Sequence, residues 1–126
     1  MKYLLDTHIL LWAAADKLPE SARKFFSKEN ELYFSPASIW EIVIKRTLNR
    51  NDFQIDPEEF YKGLLAAKYK ELPITARHAL ATESLPEIHK DPFDRILLSQ
   101  ALSERMDLVT ADKHLSKYPN RMIIVS

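Results

Sequence analysis

Cysteine is absent from this 126-residue chain. Disulfides, thiolate zinc sites and cysteine nucleophiles are therefore excluded together, and an intracellular, cytoplasmic location is expected. Glycine occurs once, at Gly63. Phosphate-cradling loops of the GxGxxG or GxxxxGK kind cannot be built from one glycine, so nucleotide binding by those routes is excluded. No apolar run has the length of a membrane span, and Lys2 leads directly into Tyr3, Leu4, Leu5 and Asp6 without the apolar stretch of a signal peptide. Neither membrane insertion nor secretion is expected. An excess of either charge is also missing, with 18 Lys and Arg against 18 Asp and Glu, spread evenly over the two halves. A polyanionic partner would have to be held by a local patch, because the molecule has no global field to attract it.

What is present is the composition of an ordinary globular domain: 46% hydrophobic and 29% charged residues. The length suits one domain, over residues 1–126, with a sizeable core. Residues 2 to 5 read as a strand that stops at Asp6, followed by a helix from Thr7 to Ala15. Pro19 to Ser27 reads as a second helix with proline at its first position and Ala22, Phe25 and Phe26 on one face. Leu32 to Phe34 is β-prone, and Ser35-Pro36 opens a helix to about Leu48. A polar segment, Arg46 to Gln54, precedes Asp56-Pro57, which repeats the cap-then-proline pattern for a helix carrying Phe60, Tyr61, Leu64 and Leu65.

Leu72 to Ile74 contains a proline and reads as an edge strand at most. Thr75 caps a short helix through Ala81. Asp91-Pro92 starts another, Leu108 to Thr110 is a strand, Lys113 to Lys117 a single helical turn, and Met122 to Val125 a last strand. Strands separated by helices predict an α/β fold: a single three-layer domain with a mostly parallel central sheet of four or five strands, joined by right-handed crossovers.

Four carboxylates stand out by position. Asp6 ends the first strand, Glu41 lies early in a helix within SIWEIVI, Asp94 is in the first turn of the helix after Asp91, and Asp112 follows a later strand. Each has an ordinary use: Asp6 and Asp112 as caps, Glu41 in a box with Ser38 or paired with Lys45, Asp94 behind an Asp91 cap. Asp94 nevertheless shares the stripe of Leu98 and Ala101, and Glu41 sits in an apolar run. Inward-facing carboxylates need compensation, and too few bases lie nearby to supply it. A divalent cation would satisfy them together. Oxygen-only donors, with no cysteine and no metal-spaced histidine pair, favour Mg²⁺ or Mn²⁺, the ions of phosphoryl transfer.

Asp6-Thr7-His8 after an N-terminal strand, the Ser35 to Glu41 segment, Asp91 to Arg95 (DPFDR) and Thr110-Ala111-Asp112 resemble a PIN-domain ribonuclease, most nearly the VapC-like toxins of prokaryotic type II toxin–antitoxin pairs. The resemblance runs through essentially the whole chain. It implies a metal-dependent endoribonuclease in which Asp6, Glu41, Asp94 and Asp112 hold one or two Mg²⁺ ions and an activated water attacks the phosphodiester. Thr7 and Thr110 would support that site. Asp91 is the alternative acid at its helix start, assigned to capping by its Asp-Pro context. The family commonly carries Asn where this chain has His8. An antitoxin protein and a homodimer are further implications.

Arg95, Lys113 and His114 are candidate RNA contacts on the same edge, and Lys45, Arg46 and Arg50 form a modest basic run. His78 and His89 read as structural or surface residues, and Trp12 and Trp40 as core or interface anchors. Two other functions fit an acid after the first strand. An aspartyl-nucleophile phosphatase usually needs a second acid two residues later, where this chain has His8. A non-catalytic metal-binding regulatory module needs only the cation.

Overall fold

Along the first strand the side chains alternate between two cores, and the three layers follow from that alternation. In the computed structural model, which describes residues 1–48, 54–87, 91–118 and 122–125, strand β1 (Lys2–Leu5) sends Tyr3 and Leu5 to one core and Leu4 to the other. Strand β2 (Glu31–Phe34) does the same with Leu32 and Phe34 against Tyr33. So does β4 (Asp107–Thr110), with Val109 against Leu108. A period of two is what a pleated strand imposes, so a sheet apolar on both faces must be covered on both.

Helix α1 (Thr7–Ala14) covers the first face with Ile9 and Leu10, α3 (Pro36–Thr47) adds Ile42, and α4 (Pro57–Ala66) adds Phe60 and Leu64. Helix α6 (Pro92–Glu104) covers the second face with Leu97, Leu98 and Ala101. Three cap-then-proline pairs start their helices as expected. The side chains of Ser35, Asp56 and Asp91 accept from the backbone N–H groups of Ala37, Glu58 and Phe93, and proline occupies the first turn each time.

With β3 (Lys70–Glu71) and β5 (Met122–Ile124), the sheet has five strands in the order β3-β2-β1-β4-β5, and every pairing is parallel. The chain starts in the middle strand, builds outward to one side through β2 and β3, then returns to place β4 and β5 on the other. Between β1 and β4 the winding reverses. A crevice opens at the carboxyl ends of the strands where such a reversal occurs, because the connections leave in opposite directions.

Two elements depart from the sequence reading. The edge strand lies at Lys70–Glu71 and not at Leu72 to Ile74, although the Leu72 N–H still reaches the Phe34 carbonyl at 2.8 Å. Pairing with β2 sets that register, and the exposed edge takes the charged residues while Leu72 turns into the second core. The helix read from Pro19 to Ser27 is α2 (Glu20–Arg23) followed by a tighter 3-10 turn over Lys24–Phe26. Ser27 is extended and stops it. A short α5 (Ala76–Ala81) begins at Thr75 as expected, and Lys113–Lys117 forms a 3-10 turn. Arg50 and His89, with part of the polar segment before Gln54, lie outside the described residues.

Candidate active site

Asp6 is the first residue past β1, and Asp112 follows β4 by two residues. These are the two strands between which the winding reverses. Opposite them, α3 brings Glu41 and the start of α6 brings Asp91 and Asp94. All five carboxylates line one cleft of about 490 Å³, together with Thr7, His8, Trp12 and Ala111. Local sequence fixes each position. Asp6 ends β1 because its side chain turns back to cap α1, accepting from the Ile9 N–H at 3.0 Å, while its own N–H reaches the Val109 carbonyl of β4. Asp91 caps α6 at 2.9 Å, and Asp112 caps the following 3-10 turn through the His114 N–H at 2.9 Å.

The hydroxyls of Thr7 and Thr110 touch the cleft acids directly. Thr110 donates to Asp6 Oδ2 and accepts from the Asp112 N–H at 3.1 Å, tying the two strand-end acids together. Thr7 Oγ1 lies 2.7 Å from Glu41 Oε1 and 2.9 Å from Ser38 Oγ. A carboxylate only accepts, so the Thr7 proton goes to Glu41 and the Ser38 hydroxyl donates to Thr7. The sequence offers Ser38 as a capping-box partner for Glu41. Ser35 is the cap, as its Ser-Pro context predicts, and Ser38 begins a relay through Thr7 that holds Glu41. Lys45 stands 3.7 Å from the other Glu41 oxygen, the i to i+4 pairing expected of them.

Asp6 is only 5% exposed. Burial pushes its carboxyl above the usual aspartate range, and the neighbouring Glu41 charge pushes the same way. Hydrogen bonds from Thr110 and Ile9, and the charge of His8, pull it back in part. Among the described residues no three carboxylate or imidazole groups are drawn close enough to hold an ion in the positions they occupy. Their chemistry still fits one. The donors are all oxygen, they face one cleft, and Asp6 is held in a setting where nearby positive charge would favour its ionised form. Helices α1, α3 and α6 all begin at this edge and add the positive ends of their dipoles.

Other candidates lie elsewhere. Arg95 is not a cleft residue: its guanidinium donates to the carbonyls of Thr82 and Pro86 at 2.8 Å and of Leu85 at 3.3 Å, and lies 3.3 Å from the Tyr118 hydroxyl. It fastens α6 to the segment after α5. Lys113 and His114 are exposed beside Asp112 but do not line the cleft. His78 is buried; its Nδ1 accepts from the Thr75 N–H, and Nε2 lies 2.7 Å from Glu104. Trp40 is 62% exposed and meets Phe93 edge to face, so it is no core anchor. Arg46 pairs with Asp56 at 3.4 Å. Trp12 half belongs to the core and half to the cleft. That dual placement was foreseeable from its position one helical turn after His8.

Among the described residues no helix is long and apolar enough to cross a membrane. No curated protein matches the chain. Solved structures do. VapBC2 from Rickettsia felis, bound to a DNA fragment from its promoter, is 19% identical, with 99% of this chain and 98% of that chain covered and a TM-score of 0.73. DNA-bound VapBC from Salmonella typhimurium is 18% identical, with coverages of 98% and 96% and a TM-score of 0.69. VapBC-1 from nontypeable Haemophilus influenzae is 16% identical, with 98% of each chain covered and a TM-score of 0.66. At these identities the likeness is one of fold, and it extends over the whole chain. The profile of the PIN domain matches residues 3–120, and on that match the chain belongs to the PIN-domain family.

Proposed function

We propose that this PIN domain is a Mg²⁺- or Mn²⁺-dependent endoribonuclease, the toxin of a type II toxin–antitoxin pair. The observation that carries the reading is the meeting of Asp6, Glu41, Asp94 and Asp112, drawn from four separate parts of the chain, on the walls of one cleft. Carboxylates crowded into one crevice repel each other and the substrate phosphate alike, so the arrangement makes chemical sense around a cation. When bound, the ion supplies positive charge to the phosphate oxygens and acidifies water. Asp6, Glu41, Asp94 and Asp112 would hold it. Asp91 caps α6 as Asp6 and Asp112 cap their own turns, and at the cleft wall it adds negative charge three residues before Asp94.

The chain's own residues prepare three of these: Asp6, Asp112 and Glu41. Thr110 orients Asp6 and the backbone of Asp112 at once, and the relay from Ser38 through Thr7 fixes one Glu41 oxygen. A protein antitoxin as partner is supported by the likeness to toxin–antitoxin complexes. RNA as substrate and self-association as a dimer belong to the same proposal.

The test is cleavage of single-stranded RNA by the purified chain in Mg²⁺ or Mn²⁺, beside Asp94→Asn and a chelator control. Both controls are expected to lower the rate by at least about 100-fold, as loss of a metal ligand does when the ion carries the chemistry. Activity that survives both would overturn the metal mechanism.

A further inference from the structure

A cation held by the acids would engage phosphate, but a carboxylate offers a base no face to stack on. His8 and Trp12 are the aromatic side chains that line the cleft. They stand one turn apart on α1, ring centroids 6.4 Å apart and planes at 61°. His8 is exposed, and Trp12 is half-buried and packed against the core. We propose that the His8–Trp12 pair is a seat for one unpaired nucleobase beside the scissile phosphate. The proposal rests on the ribonuclease reading and adds to it the part of the site that selects single-stranded substrate.

Geometry decides how the seat works. Two rings inclined at 61° cannot sandwich a flat base between them, so the base stacks on one outer face and meets the edge of the other ring. Trp12 is partly buried and packed against the core, which makes it the floor. His8, exposed in the first turn directly after Thr7, is the wall. Stacking needs no particular base, because every base presents a π face, and it discriminates against duplex RNA, whose bases are not available. Asp6 caps the same helix, so the seat is fixed relative to the acids by one turn of backbone.

The experiment reads base contact without relying on cleavage. Trp40→Phe leaves Trp12 as the single indole, since the chain has two tryptophans. Trp12 emission is then followed while a short single-stranded oligoribonucleotide is added in Ca²⁺, beside an abasic ribose–phosphate chain of the same length. The expected result is saturable quenching by the RNA, with affinity about 5- to 100-fold weaker for the abasic chain and for His8→Ala. His8→Phe keeps a ring and is expected to restore binding. For cleavage in Mg²⁺, His8→Ala is expected to raise KM, and His8→Phe to bring it back toward the parent value. Trp12→Phe, in the Trp40-containing chain, is expected to leave KM within a few-fold. Equal affinity for abasic and normal RNA, or an unchanged KM in His8→Ala, overturns the seat while leaving the nuclease standing. Base-dependent quenching without any cleavage would overturn the nuclease and leave the seat.

Discussion

Asp6 serves three purposes with one carboxylate. It ends β1, caps α1 and lines the acid cleft, and it does so almost wholly buried. The first two uses need only an acceptor, which an amide also provides; the third needs charge. Because folding raises the Asp6 pKa, the folded state prefers the protonated form. This contribution to stability is fully present below the ordinary aspartate pKa and is lost as pH rises through the higher folded value. Asp6→Asn is therefore expected to melt at a higher temperature than the parent at pH 7, with the gap closing as pH falls toward 4, while RNA cleavage is lost. Thermal melts at a series of pH values check this. Mg²⁺ should narrow the gap at pH 7 by stabilising the parent alone. A gap that does not vary with pH would show that burial of charge is not its cause.

The helices keep most of their instructions in their own sequence. Ser35-Pro36, Asp56-Pro57 and Asp91-Pro92 could each be read as a start because a cap acts over only two or three residues. Ends were harder to read, since glycine, the usual mark of a left-handed stop, is absent from them. Asp16, Lys68 and Arg105 adopt that conformation instead, while the one glycine sits inside α4 with nothing within 4 Å of where a Cβ would be. Gly63→Ala should stabilise by about 0.5–1 kcal/mol, and Arg105→Gly by roughly 1 kcal/mol by removing the penalty of positive φ. Urea unfolding of the two variants tests both. A loss of stability in Gly63→Ala would mean that α4 needs the space its glycine leaves open. Strand β3 was misplaced because an edge pairing two residues long is set by its neighbour and not by its own hydrophobicity, which points to Leu72.

At the scale of the molecule, the acids were legible because each lies at a boundary the sequence marks: a strand end, a cap, a charge within an apolar run. Their sharing of a cleft follows from a parallel sheet that reverses its winding beside its first strand. The fate of Arg95 was not legible, because the carbonyls of Thr82, Leu85 and Pro86 that hold it carry no side-chain signal. Nor was the role of Ser38, whose partner Thr7 stands 31 residues earlier.

The central place of β1 has a consequence for the order of assembly. Asp6 and the hydroxyl that holds it, Thr110, are 104 residues apart, and β1 cannot gain β4 as a neighbour until that residue exists. At ~5–20 residues per second of synthesis, the first acid waits on the order of 5–20 s for its counterpart. A chain stopped after Glu104 is expected to show no cooperative melt and to aggregate through the bare edge of β1. A cooperative transition in that fragment would contradict this. Synthesis thus sets a delay: the acidic cleft cannot close until β4 has emerged to join β1.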